Sequence, residues 1–188
     1  RLTTGADRFL SLPVWSPDSK RIAFWDLSST LQLADVATGK LTAVDRDPWA
    51  PFPPARVSWS SDSAWIAYPK SGEAPLQAIW LYDVKQGKAT AATSGRFNDG
   101  WPTFDRKGDF LYFTSQREFS APTYEDVGSP FVYAEAGRLY ALPLRKDVKS
   151  PIAAKSDEEG EETKKEKDKD KADDKESAKG DEDAKGEA

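Results

Sequence analysis

Val14-Trp15-Ser16-Pro17-Asp18-Ser19-Lys20-Arg21-Ile22-Ala23-Phe24 reads as a strand, a tight polar turn and a returning strand. Pro17 presets φ, and the Asp18 side chain can bond nearby backbone, which is the chemistry of a turn. Ile22-Ala23-Phe24 then restarts an apolar run. The unit recurs. Val57-Ser58-Trp59-Ser60-Ser61-Asp62-Ser63-Ala64-Trp65-Ile66-Ala67-Tyr68 repeats it 44 positions on, counted from Trp15 to Trp59. Pro102-Thr103-Phe104-Asp105-Arg106-Lys107-Gly108-Asp109-Phe110-Leu111-Tyr112-Phe113 repeats it after a further 45, from Trp59 to Phe104. A period in the forties with several short strands per unit predicts an all-β chain built as a partial β-propeller, with about three four-stranded antiparallel blades.

Working outward from that stretch, residues 1–9 are expected to be the end of a preceding blade. The first blade spans 10–47, with Leu31-Gln32-Leu33-Ala34-Asp35-Val36 as its third strand. Thr38-Gly39-Lys40 is its hairpin turn and Leu41-Thr42-Ala43-Val44 its fourth strand. Residues 48–95 hold a proline-rich connection and the second blade. Pro48, Pro51, Pro53 and Pro54 exclude helix and central strand there. Ile79-Trp80-Leu81-Tyr82-Asp83-Val84 and Gln86-Gly87-Lys88 repeat the third strand and its turn. Residues 96–150 form the third blade, whose next strand, Arg138-Leu139-Tyr140-Ala141-Leu142, is delayed by an insertion at 117–137. Insertions of that length are often functional.

Residues 151–188 are expected to be a disordered, acidic and Lys-rich linker. From Lys155 onward there are 15 acids and 9 Lys, a net of −6 against −5 for the whole chain. The part before it is therefore near neutral, and the acidity belongs to the tail. A near-neutral body without a basic aromatic stripe argues against nucleic acid as a partner, and none is expected. No stretch is apolar enough for a membrane span. The chain contains no Cys, no His and no Met. A thiol nucleophile, the usual general base and the commonest metal ligand are thus all missing. The lack of Cys fits a bacterial periplasmic or secreted protein and a cytoplasmic one equally. An opening at Arg1-Leu2-Thr3-Thr4 reads as the interior of a longer protein, and its unpaired blade faces allow a homo-oligomer.

Individual residues give little chemistry. Asp18, Asp62 and Asp105 are read as one turn carboxylate repeated in each blade, which a catalytic or metal role would not require. Trp15, Trp59 and Phe104 share a repeat position and are expected in the core between blades. Serines are plentiful, but without His a positioned base is missing. No catalytic residue, metal or cofactor is expected. The insertion is the one candidate site: Arg117, Glu118, Phe119, Tyr124 and Glu125 combine aromatic rings with acids at its start, as a segment that grips or gates a substrate would.

Trp15-Ser16-Pro17-Asp18-Ser19-Lys20, Ile22-Ala23-Phe24, Asp35 and Thr38-Gly39-Lys40 resemble the WD40-like propeller repeats of the TolB and tricorn protease families. Ser19 stands where those repeats usually carry Gly, and Ser61 where they usually carry Pro. A more specific resemblance lies in Leu111-Tyr112-Phe113-Thr114-Ser115-Gln116-Arg117-Glu118-Phe119, Pro122 and Tyr124. It continues in Arg138-Leu139-Tyr140-Ala141-Leu142-Pro143-Leu144-Arg145-Lys146-Asp147, Ser150-Pro151 and Ser156-Asp157-Glu158-Glu159. These are similar to the third-blade region of bacterial tricorn-like serine peptidases. The resemblance implies a non-catalytic propeller segment that guides or gates peptide or protein substrates. Its implied partners are the remaining blades, a PDZ domain and a Ser/His catalytic domain of the parent chain. No family catalytic residue maps onto a position here. Rival readings are a TolB-like periplasmic binding propeller without a peptidase, and the propeller of a prolyl-oligopeptidase-type hydrolase.

Overall fold

The computed structural model describes residues 10–49, 56–72, 76–118, 122–123, 132–133 and 136–152. The compact unit that carries the sheets ends at Val148. The expected end of a preceding blade at 1–9, most of the proline-rich connection and most of the tail lie outside the described residues.

The first sheet is β1 (Leu10–Trp15), β2 (Arg21–Asp26), β3 (Thr30–Asp35) and β4 (Leu41–Arg46), paired in chain order. The second is β5 (Ser58–Trp59), β6 (Trp65–Ser71), β7 (Gln77–Asp83) and β8 (Lys88–Ala91), again in chain order. The third joins β9 (Asp99–Phe104), β10 (Phe110–Gln116) and, after the insertion, a late strand at Gly137–Pro143. Within the insertion, β11 (Pro122–Thr123) pairs with β12 (Val132–Tyr133), so the late strand is β13. All pairings are antiparallel. The expectation of four strands per blade is corrected for the third sheet, which has three among the described residues. The chain after β13 runs into the Lys/Asp/Glu-rich tail, which offers no alternating apolar run for a fourth.

The middle sheet explains the packing. Its side chains alternate, as a pleated strand demands. Ile66, Tyr68 and Tyr82 enter one core with Ala23, Trp25, Leu31 and Leu33 of the first sheet. Ala67 and Ile79 enter a second core with Leu111 and Phe113 of the third. A sheet buried on both faces needs apolar residues at consecutive positions, and Ile66-Ala67-Tyr68 supplies them. The first strands also touch directly. Trp59 Nε1 donates to the Val14 carbonyl at 3.3 Å, and Phe104 N–H donates to Ser58 Oγ at 3.1 Å.

The repeated aromatic position does not have one environment. Trp59 is buried and Phe104 is packed against the second core. Trp15 corrects the expectation: it is 54% exposed. Trp59 and Phe104 each pack on the sheet before their own, and no described residue precedes β1 to cover Trp15.

Candidate functional site

Antiparallel pairing puts the first hairpin turns, β1–β2, β5–β6 and β9–β10, at one end of the blades. The β2–β3 turn and the strand ends that flank the β6–β7 loop, the insertion and the links between blades lie at the other end.

The turn end is built from local hydrogen bonds. In the first unit Ser16 Oγ donates to Asp18 Oδ1 at 2.6 Å and accepts from Arg21 N–H at 2.9 Å. In the second, Ser60 Oγ donates to Asp62 Oδ1 at 2.6 Å and accepts from Trp65 N–H at 2.9 Å. The Ser16 hydrogen bond holds the Asp18 carboxyl below the usual carboxylate range, and Ser60 does the same for Asp62. Asp105 is not the third copy of that carboxylate, which corrects the sequence reading. Trp15↔Ile22, Trp59↔Ile66 and Phe104↔Leu111 are the matching pairs, so Asp105 stands where Ser16 and Ser60 stand. Its own Oδ1 accepts from Asp109 N–H at 2.8 Å and Phe110 N–H at 3.1 Å, replacing the serine hydroxyl. Desolvation pushes the Asp105 carboxyl up, but the N–H groups of Phe110, Asp109, Lys107 and Gly108 together leave it lowered. Asp35 and Asp83 close the third-strand turns, accepting from Thr38 N–H and from Gln86 N–H, both at 2.8 Å.

The opposite end holds the buried charge. Asp99, 1% exposed, meets Arg117 Nη2 at 2.9 Å. Arg117 Nε donates to Ser115 Oγ at 2.6 Å. The guanidinium carbon lies 4.8 Å from the Phe97 ring centroid and 4.5 Å from that of Tyr140, a cation–π enclosure. Arg117 is thus turned into the blade at the root of the insertion. The β10–β13 ladder runs from Phe110↔Pro143 to Gln116↔Gly137, and Glu118 N–H extends it to the Ala136 carbonyl at 3.2 Å. The insertion therefore springs from a paired stem. Phe119, Tyr124 and Glu125 lie outside the described residues.

Nearby, Asp45 joins Lys70 Nζ at 2.7 Å and Tyr68 Oη at 2.8 Å. Burial, reinforced by Asp45, pushes the Tyr68 hydroxyl far up, so it remains a donor. Asp47 is buried and accepts from Ser71 N–H at 2.8 Å and Trp49 N–H at 3.0 Å, pinning the link between the first two sheets. These acids have partners that fix the backbone or offset charge. Among the described residues no group of three His, Cys, Asp or Glu could hold a metal ion.

Sequence reasoning missed Asp45, Asp47, Lys70 and Asp99, because their partners come from other strands or loops. It also missed Trp101, which is 70% exposed and has φ 54° in a β-bulge on β9. A signal for Trp101 was present: Leu12-Pro13 and Trp101-Pro102 both stand three residues before the repeat aromatic, and Leu12 has φ 52°. A bulge places two residues against one and re-aims a side chain.

Three successive antiparallel sheets, stacked face to face and linked along their first strands, define a stretch of β-propeller. The family that matches is described as the tricorn protease second beta propeller domain, over residues 5–185, and the chain belongs to it. Tricorn protease homolog 1 of Streptomyces coelicolor is 30% identical over 153 residues, covering 81% of this chain and 14% of the relative. The tricorn protease of Thermoplasma acidophilum is 31% identical over 120 residues, covering 61% of this chain and 11% of the relative. The chain thus spans only a small part of these proteins. Among solved structures, the tricorn protease crystal structure has a TM-score of 0.66 at 23% identity, over 76% of this chain and 14% of that one. TolB from Acinetobacter baumannii has 0.55 at 18%, over 76% of this chain and 32% of that one. These two likenesses are of fold.

Proposed function

We propose that this chain is a non-catalytic wall of the second propeller in a tricorn-like serine peptidase, and that it guides or gates peptides on their way to a catalytic site elsewhere in the parent. The observation that carries this reading is the stem. A seven-residue register between β10 and β13, locked by the Asp99–Arg117 pair, forms the root of a long insertion at one end of the blades. A projecting segment needs such a rigid base to act as a gate rather than a tether. Trp101 supports the same reading, because an exposed ring on a first strand offers an extended peptide an apolar grip.

The chemistry of the chain fits a passive role. It has neither His nor Cys. Its described turn acids are engaged in capping hydrogen bonds. In this reading Glu118, Glu125 and neighbouring acids bias the passage against acidic peptides, and Phe119 and Tyr124 add contact area.

The test is deletion of residues 120–135 in the full-length parent. The expected result is a changed length or charge preference among long peptides, with nearly unchanged turnover of the shortest substrate. Loss of turnover of that shortest substrate in a folded protein would overturn the reading and point to a direct catalytic role for the insertion's acids.

A further inference from the structure

At the turn end, opposite the stem, a cleft of about 430 Å³ opens between the second and third sheets. Trp65, Leu81, Phe104 and Leu144 line it as an apolar surface, with Asp62 and Lys107 also at its wall. The cleft has a physical origin in two substitutions within the repeat. Between the first and second sheets, Ser63 Oγ accepts from Asp18 N–H at 3.1 Å and ties the two turns together. The matching residue of the third unit is Gly108, which has no side chain to reach Asp62. A Cβ built on Gly108 would meet nothing within 4 Å. The second change is Trp65, which stands where the first unit has Arg21 and leaves 38% of its surface exposed.

The charges around the cleft are asymmetric. Asp62 accepts from Ser60 Oγ and Ala64 N–H, and so stays ionised at neutral pH. A second carboxylate is repelled on that side. Arg145 is occupied by Asp109 at 2.8 Å and Asp147 at 3.4 Å. Lys107 takes part in no ion pair among the described residues. An apolar floor beside one available ammonium fits an apolar group joined to a carboxylate.

We propose that this cleft binds the free C-terminus of a peptide ending in a large apolar residue, with the side chain on Trp65 and Phe104 and the carboxylate at Lys107. The choice of peptide as ligand rests on the proposed function; the cleft chemistry does not. An amphipathic carboxylate without a peptide bond shares that chemistry, and the test separates the two.

The test follows the Trp65 indole N–H by NMR in the full 188-residue chain, with its signal assigned through Trp65→Phe. Ala-Ala-Phe is titrated against its C-terminal amide, Ala-Ala-Ser and octanoate. The expected result is saturable binding of Ala-Ala-Phe, about fivefold weaker for the amide, which is the upper end for one exposed ion pair. Ala-Ala-Ser should leave the signal unmoved at the same concentrations, and octanoate should bind more weakly than Ala-Ala-Phe. Lys107→Gln should bring the acid down to the affinity of the amide. Gly108→Ser should weaken binding at least about tenfold by restoring the bridge to Asp62. Ser19 and Ser63 hold φ 59° and 60° at this position, so the turn accepts serine. Should Gly108→Ser misfold, the Lys107→Gln arm decides alone. Equal affinity for acid and amide, no movement of Trp65, or unchanged binding in a folded Gly108→Ser variant would overturn the proposal. Stronger binding of octanoate than of Ala-Ala-Phe would overturn the peptide assignment. None of these outcomes touches the passage reading, which is decided by the deletion in the parent.

Discussion

Replacing Arg117 by Ala tests whether the stem of the insertion is anchored by buried charge. Asp99 is 1% exposed, and its carboxylate has one charged partner among the described residues, Arg117. Removing one member of a buried pair costs about 3–5 kcal/mol, because the other charge is left uncompensated. The Arg117 side chain keeps 27% exposure, so its own desolvation is partial and the lower end, about 3 kcal/mol, is expected. Stacking on Phe97 and Tyr140 is contained in that figure, at about 0.5–1 kcal/mol per ring. For a folded region of this size about 2–4 °C accompanies each kcal/mol, which predicts a melting point about 6–12 °C lower. Thermal unfolding followed by near-ultraviolet circular dichroism reads it. The cycle with Asp99→Ala separates the pair from the packing: the double variant should be about 2 kcal/mol less damaging than the two single losses added. Arg117→Lys should fall between, since it keeps the charge but loses the planar fork and the stacking. A shift under about 2 °C for Arg117→Ala, or strict additivity in the cycle, would refute the reasoning. Either result would mean that water satisfies Asp99 and that the pair does not hold the stem.

Two further outcomes follow from the repeat. Trp59→Ala should cost about 3–5 kcal/mol, because the ring is buried between two sheets and donates to Val14. Trp15→Ala, at the same repeat position but exposed, should cost under about 1 kcal/mol in this chain; equal losses in urea unfolding would contradict the asymmetry. The turn carboxylates set a pH dependence. Asp18, Asp35, Asp62 and Asp105 all have folded pKa values below the unfolded 3.8. A depressed carboxylate stabilises the fold above its unfolded pKa, and the contribution disappears as pH falls through the folded value. Stability should thus be insensitive to these groups above about pH 5 and fall as pH drops below about 4. Asn at Asp62 should flatten part of that fall, and an acid limb unchanged in the variant would exclude the Ser60–Asp62 contact as its source.

Much of the blade plan was legible in the chain because it is local. Ser16 with Asp18 and Ser60 with Asp62 form their turns within five residues, so the same letters recur wherever the same turn forms. Gly39 and Gly87, at φ 69° and 67°, mark the third-strand turns for the same reason, since left-handed backbone suits Gly. The consecutive apolar residues of β6 and β7, Ile66-Ala67-Tyr68 and Ala78-Ile79-Trp80-Leu81-Tyr82, are those of a sheet covered on both faces. Where the letters changed, the reading slipped. Asp105 was aligned with Asp18 by residue type, and strand register places it with Ser16.

By itself, the sequence determined the repeat, the order of strands, the position of the turns and the family resemblance of the third blade. Each rests on contacts between near neighbours or on the two-residue period of a pleated strand. Only the tertiary structure decided which of two equivalent tryptophans is covered, that Arg117 turns inward to Asp99 rather than out to a substrate, and that Gly108 leaves a cleft where Ser63 closes one. Burial and charge pairing require a second surface. That surface comes from residues 18 or more positions away in these cases, and its distance and direction are fixed by how one sheet stacks on the next.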